Sequence, residues 1–234
     1  MVTPAVGAPL AVIGGLSLAV MFAVESSTWF FRAQGDRTDL GGTLARANQL
    51  LYSSRLFAFG FQLVISLMVD TRAGWWPIWL TFAAGFGATI AVHLVAFHVP
   101  GGAVRLWQLF AVVGAPDRRA TRPGLRAPVR GHVVDRALFT RTLLATMLLA
   151  AAATLPFVLA SLFAQLRMTM GSVAQVMNFF GSITMISLVE PVLYRSIDRE
   201  ALGHVVFDYL LGRLWGLGVC FGVILLTGVL AWRR

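Results

Sequence analysis

The stretch "NQLLYSSRLFAFGFQLVIS", Asn48–Ser66, is mostly apolar, yet it contains Arg55. A bilayer hydrocarbon core about 30 Å thick is crossed by about 20 apolar residues of helix. A charged side chain at mid-bilayer costs about 2.5–3.5 kcal/mol on insertion scales. The stretch therefore predicts a transmembrane helix whose arginine has a specific structural or functional reason to be there.

The composition of the whole chain favours a membrane protein. Of the 234 residues, 58% are hydrophobic and only 12% are charged, whereas a soluble domain carries roughly a quarter charged residues. Six segments are long and apolar enough to span a bilayer. They are roughly 9–31, 47–69, 75–99, 138–166, 173–193 and 205–232. We predict an all-α integral membrane protein, with residues 1–234 forming a single membrane domain of six transmembrane helices.

The arginines set the expected orientation. All nineteen basic residues are Arg, and most lie in the connections after the first, third and fifth segments. Cytoplasmic loops carry the excess of basic residues, so both termini are predicted outside and the Arg-rich loop 114–137 in the cytoplasm. There we expect it to be poorly ordered or to lie against anionic lipid headgroups. The net charge of +9 is thus explained by topology and membrane lipids, and no nucleic-acid partner is expected.

Polar residues of the second segment recur at helical spacing. Intervals of four, three, four, three and four residues place them on one helical face. This stripe consists of Asn48, Tyr52, Arg55, Phe59, Gln62 and Ser66. Because five of the six are polar, we expect the stripe to face protein or water.

Other segments also carry polar residues. Gln175 and Asn178 share a face of the fifth segment, and Glu190 follows just before Pro191. Arg213 lies in the sixth segment and Glu25 near the inner end of the first. No His-Glu-x-x-His pattern occurs and the chain has one Cys, so we expect no metal and no cofactor.

Two explanations for the intramembrane arginines remain open. Arg55 or Arg213 forms an ion pair with Glu25 or Glu190, or the arginines hold an anion, because the guanidinium binds phosphate bidentately and stays charged. The two are compatible if a glutamate is the partner while the site is empty.

Two stretches resemble a known family. They are "FFRAQGDRTDLGGTLARANQLLYSSR", residues 30–55, and "EPVLYRSIDREALGHVVFDYLLGRLWGLG", residues 190–218. The first is similar to the first two helices of the Amj family, the alternate lipid II flippases of bacteria. The second is similar to the last loop and last helix of that family. The residues that match the family pattern include Arg32, Arg37, Ser54, Arg55 and Arg213.

The resemblance implies a flippase in the bacterial cytoplasmic membrane that moves undecaprenyl-pyrophosphate-linked peptidoglycan precursor, without hydrolysis and without metal. We expect Arg55 and Arg213 to hold the pyrophosphate in a groove between the second, fifth and sixth helices. Arg32 and Arg37 would capture the headgroup at the cytoplasmic mouth. The side chains expected to hydrogen-bond the sugars or the peptide are Asn48, Gln62, Gln175 and Asn178. The expected site also includes Ser54 and the two glutamates that could pair with the arginines, Glu25 and Glu190.

Two other functions are compatible with the sequence. In an intramembrane enzyme acting on a polyprenyl phosphate, Glu25 and Glu190 would serve as base or metal ligand. In a non-catalytic assembly partner, an Arg–Glu pair would be structural. The glycine pairs of the sixth segment, Gly212 with Gly216 and Gly218 with Gly222, would then allow close helix contact. A homo-oligomer is possible in every case.

Overall fold

The structure is a computed structural model that describes residues 4–34, 40–98, 133–163, 165, 167–198 and 202–232. Helices form almost all of this part of the chain. They are α1 (Pro4–Gln34), α2 (Leu40–Asp70), α3 (Trp75–His98), α4 (Arg136–Leu162), α5 (Arg167–Thr184), a π-helical segment (Met185–Val189), α6 (Glu190–Asp198) and α7 (Leu202–Trp232). α5, the π segment and α6 follow one another without a break.

Six helical spans within the described residues are long and apolar enough to cross a membrane. They are Gly7–Trp29, Leu44–Asp70, Trp75–Val95, Arg136–Ser161, Ser172–Ile197 and Val205–Val229. The prediction of an all-α bundle of six membrane-spanning helices is confirmed, and the chain is a multi-pass membrane protein. The helices are longer than predicted in several places: the first runs over Pro4–Gln34 rather than 9–31, and the second begins at Leu40 rather than 47. The fourth is shorter and ends at Leu162.

The fifth span departs most from its predicted form. It was expected over 173–193, but its helical residues run from Arg167 to Asp198 and continue through Pro191. Proline lacks a backbone N–H and cannot donate in a regular helix. The π segment ends two residues before Pro191, and the N–H of Glu190 donates to the carbonyl of Met185, five residues back. The wide turn thus lets the span pass the proline.

Local hydrogen bonds define two helix ends. α2 ends in a Schellman motif, in which the N–H of Ala73 donates to Met68 O at 2.9 Å and that of Arg72 to Val69 O at 3.2 Å. Arg72 takes the left-handed conformation that closes this motif, with φ 53°. α4 begins after Asp135, whose carboxylate accepts from the N–H groups of Ala137 at 2.9 Å and Leu138 at 3.1 Å.

The helices pack in two groups. In the first group α1 packs on α2 and α3, and in the second α4 packs on α5 and α7. Contacts between α3 and α7 connect the two groups. Gly212 and Gly216 let α7 lie directly against α4, because a Cβ at either position would meet backbone or side-chain atoms of α4 at 3.0 Å or less. Gly218 and Gly222 face open space. Of the two predicted glycine pairs, only the first is therefore at a helix contact within the described chain.

Two apolar clusters fill the bundle at different depths. The side of the bundle at which α1, α3 and α6 terminate is called the proximal end. The central cluster includes Leu18, Phe22, Phe61, Ile65, Phe82, Phe86 and Leu217. The proximal cluster consists of Trp29, Leu138, Val189, Leu193, Val206, Tyr209 and Leu210. Along α1 and α7, the residues between the two clusters include ionisable ones, and these define the candidate site.

Candidate functional site

Glu25 and Arg213 form an ion pair between the two apolar clusters. Glu25 lies on α1 between Phe22 and Trp29, and Arg213 lies on α7 between Leu210 and Leu217. The Nη2 of Arg213 donates to Oε2 of Glu25 at 2.7 Å. The Arg213 side chain is only 3% exposed, whereas that of Glu25 is 24% exposed. Of the alternatives left open for Arg213, the structure thus contains the ion pair with Glu25.

Arg213 has further contacts on its own helix and on α1. Its Nη1 donates to the hydroxyl of Tyr209 at 3.2 Å, and its guanidinium carbon lies 5.6 Å from the centroid of the Phe22 ring. Its Nε is buried and has no hydrogen-bond partner in the described part of the chain. A buried charge is tolerated only when it is paired and hydrogen-bonded, and the Glu25 carboxylate and the Tyr209 hydroxyl meet that need in part.

A second buried arginine lies nearer the proximal end. The guanidinium of Arg32 lies over the Trp29 ring at 4.2 Å and 5.4 Å from the Tyr194 ring centroid. Its Nη2 donates to Oδ1 of Asn48 at 2.6 Å, and its buried Nε has no hydrogen-bond partner among the residues that the structure describes. Predicted site residues of α1 and α2, Arg32 and Asn48, therefore meet at the proximal end, beside Tyr194 of α6. Glu190 of α6 is half-buried.

The polar stripe of α2 lies on the outer surface of the chain. All six of its residues are exposed, from Asn48 to Ser66, while Phe61, Ile65 and Met68 on the opposite face are buried. The predicted helical face is confirmed. Protein or water was expected beside the stripe, and no described part of this chain covers it: the stripe faces outward, because the apolar side of α2 is the one that packs on α1. Asn48 belongs both to the stripe and to the Arg32 site, so the two are continuous.

Arg55 lies within this exposed stripe. Among the residues that the structure describes, none forms a hydrogen bond or ion pair with it. The structure therefore does not bring Arg55 and Arg213 together as the expected joint clamp, because one side chain is on the surface and the other is buried against Glu25. Ser54, the neighbour of Arg55, is buried and its hydroxyl donates to Leu51 O at 2.6 Å.

The remaining predicted residues fall in different places. Gln62 is exposed in the α2 stripe, and Gln175 and Asn178 are exposed on α5, a helix with little buried surface. Arg37 lies outside the described residues, as does most of the predicted loop 114–137. The expected groove lined jointly by α2, α5 and α7 is replaced by an exposed polar surface and a separate buried pair.

Several residues of the site were missed or not assigned to it. His93 is buried on α3, with Nε2 2.7 Å from the Ser26 hydroxyl of α1. Trp29 and Tyr194 flank Arg32, and Tyr209 supports Arg213. The available signal was spacing, since Trp29 is three residues from Arg32 and Tyr209 four residues from Arg213, so each pair shares one helical face. In the described ranges, no group of three or more His, Cys, Asp or Glu side chains could hold a metal ion.

No protein-family model, curated protein or solved structure matches the chain.

Proposed function

We propose that this protein translocates a polyprenyl-pyrophosphate lipid, the lipid II precursor of peptidoglycan, across the bacterial cytoplasmic membrane. The observation that carries the proposal is the exposed α2 stripe with Arg55, which has no described partner. An arginine facing hydrocarbon is costly, and a phosphate headgroup is the ligand that offsets this cost, since it binds the guanidinium bidentately. The similarity of residues 30–55 and 190–218 to the Amj family supports the same function.

The length of the stripe suits a path across the membrane. From Asn48 to Ser66 the helix rises about 27 Å at 1.5 Å per residue, close to the hydrocarbon thickness of about 30 Å. A headgroup moving along it would meet a hydrogen-bonding side chain on nearly every turn, while the polyprenyl tail stays in the lipid. No bond is broken in this process, so the proposal includes no catalytic residue.

The Arg32 site would receive the headgroup at the start of the path. The Arg bias of the sequence predicts that the proximal end faces the cytoplasm, where the precursor would be made. Arg32 is buried, its Nε has no partner among the described residues, and its Nη2 donates to Asn48 of the stripe. Phosphate oxygens of the headgroup would first accept a hydrogen bond from Nε of Arg32. The headgroup would then move along the stripe to Arg55. Glu25 keeps Arg213 paired, which reserves the exposed arginine for the ligand.

Native mass spectrometry of the purified protein tests this proposal. The comparison is wild type against Arg55→Ala, with Leu56→Ala as the matched control, because Leu56 is the next residue on α2 and is also exposed. A co-purifying polyprenyl-pyrophosphate lipid should be present in wild type and Leu56→Ala and depleted in Arg55→Ala. Lipid that is equally abundant in all three proteins would remove Arg55 from the site. A co-purifying membrane protein in place of lipid would instead favour an assembly partner that covers the stripe.

A further inference from the structure

The two buried arginines have partners of different charge. Arg213 donates to the carboxylate of Glu25 at 2.7 Å, so its positive charge is balanced by a negative one. Arg32 is only 6% exposed, and its Nη2 donates to the side-chain amide of Asn48 at 2.6 Å. No carboxylate of the described residues forms an ion pair with Arg32. A neutral group therefore holds Arg32 in place and leaves its charge uncompensated.

The orientation of the Asn48 amide follows from this hydrogen bond. A guanidinium group only donates, so the amide atom that faces Arg32 must be the oxygen, Oδ1. The other polar atom of the same planar amide is Nδ2, which takes part in no hydrogen bond among the described residues. Because Asn48 is exposed on α2, its NH₂ group is a donor that a ligand can reach beside the guanidinium.

Aromatic rings restrict the approach of a ligand to Arg32. The guanidinium lies over the Trp29 ring at 4.2 Å, and the centroid of the Tyr194 ring is 5.4 Å from its central carbon. The N–H groups of a guanidinium donate in its own plane, not from its faces. Since Trp29 is buried and Asn48 is exposed, an acceptor reaches these N–H groups from the Asn48 side.

A carboxylate in place of this amide would give the site a different chemistry. It would pair with Arg32 as Glu25 pairs with Arg213, and the positive charge would be cancelled. It would also replace the NH₂ donor by an oxygen that repels phosphate. The amide fixes the guanidinium, keeps the positive charge and adds a second donor, which is the combination that suits a phosphate anion.

We propose that Asn48 makes the Arg32 site selective for a phosphate group: its Oδ1 positions the guanidinium, and its Nδ2 donates to the phosphate that Arg32 binds. The inference rests on the proposed function, and it assigns Asn48 to the phosphate instead of to the sugars or peptide. Asn48 is also part of the α2 stripe, so it contacts the headgroup both at Arg32 and at the start of the path.

The test is isothermal titration of farnesyl pyrophosphate into purified wild type, Asn48→Asp and Gln49→Glu. Each variant replaces an exposed amide of α2 by a carboxylate, but only Asn48 is bonded to Arg32. Asn48→Asp should bind at least about tenfold more weakly than wild type. Gln49→Glu should stay within about threefold, because an exposed charge interacts weakly. Equal weakening in both variants would overturn the proposal.

Asn48→Leu separates selectivity from a purely structural role, because leucine is neutral and lacks both hydrogen-bonding groups. If Asn48 only braces Arg32, aspartate does so better than leucine, and Asn48→Asp should bind farnesyl pyrophosphate more tightly than Asn48→Leu. We expect the reverse order of binding, with Asn48→Asp the more stable of the two in thermal unfolding. Binding that follows the order of stability would overturn the proposal.

Failure of the proposed function gives a different set of results. No binding of farnesyl pyrophosphate by wild type overturns both proposals. Wild-type binding with unchanged affinity in Asn48→Asp overturns the role of Asn48 and leaves the proposed function standing. Inorganic pyrophosphate that binds as tightly as farnesyl pyrophosphate, and is lost in Asn48→Asp, would support the role of Asn48 and overturn the lipid as the ligand.

Discussion

The carboxylate of Glu25 accepts a 2.7 Å hydrogen bond from Nη2 of Arg213, and this pair joins α1 to α7 between two apolar clusters. Loss of one partner of a buried pair leaves the other charge uncompensated, which is more destabilising than loss of both. The pair therefore connects the first helix to the last and holds the Arg213 side chain inside the bundle, away from the bilayer.

Glu25→Gln should lower the free energy of unfolding in detergent by about 3 kcal/mol, at the lower end for a broken buried pair because the carboxylate is partly exposed. Denaturant unfolding followed by tryptophan fluorescence measures the change. The double variant Glu25→Gln with Arg213→Met should recover most of the loss. Equal stability of Glu25→Gln and wild type would show that the pair contributes nothing to folding.

The two glycine pairs of α7 should respond in opposite ways to alanine. At Gly212 a Cβ would lie 2.6 Å from the carbonyl oxygen of Phe139, so Gly212→Ala should destabilise the protein by about 1–3 kcal/mol through overpacking. Gly218 faces open space, and Gly218→Ala should stabilise the helix by up to about 1 kcal/mol. Thermal unfolding of both variants gives the comparison, and a larger loss at Gly218 would contradict the α4–α7 contact.

The membrane fold could be predicted from the sequence because length and apolarity alone decide whether a helix spans a bilayer. The α2 stripe was equally predictable, since it depends on helical period within one segment. Its exposure was not, because that depends on which side of α2 meets α1. Arg213 pairs with Glu25 rather than with Glu190. The two partners are 188 positions apart in the sequence, and no local sequence pattern specifies such a contact.

Helix boundaries and the π segment were missed for a different reason. Apolar runs mark the hydrocarbon-spanning part of a helix, whereas α1 and α2 extend past it through polar residues such as Arg32 and Arg46. The fifth segment was predicted to end at residue 193, but the wide turn before Pro191 allows the helix to continue to Asp198. The site at the proximal end depends on both features.

Arg32→Lys should weaken binding of farnesyl pyrophosphate by roughly tenfold, the loss of one charge-assisted hydrogen bond. Lysine keeps the charge but loses the planar fork that contacts Asn48 and lies over Trp29. Isothermal titration measures the affinity, and Arg195→Lys, at an exposed arginine of α6, is the matched control. Equal weakening in both variants would indicate a general charge effect rather than a site.

Arg55→Ala should leave stability within about 0.5 kcal/mol of wild type, because the side chain is exposed and has no described partner. Thermal unfolding beside Leu56→Ala checks this expectation. A loss above 2 kcal/mol would mean that Arg55 has a structural contact on which folding depends.

The central claim is that the α2 stripe carries a phosphate headgroup across the bilayer. Its most direct test is translocation of a fluorescent short-chain lipid II analogue in proteoliposomes containing wild type, Arg55→Ala or Leu56→Ala. The account predicts transport by wild type and Leu56→Ala and background rates with Arg55→Ala. Transport by Arg55→Ala at the wild-type rate would contradict it.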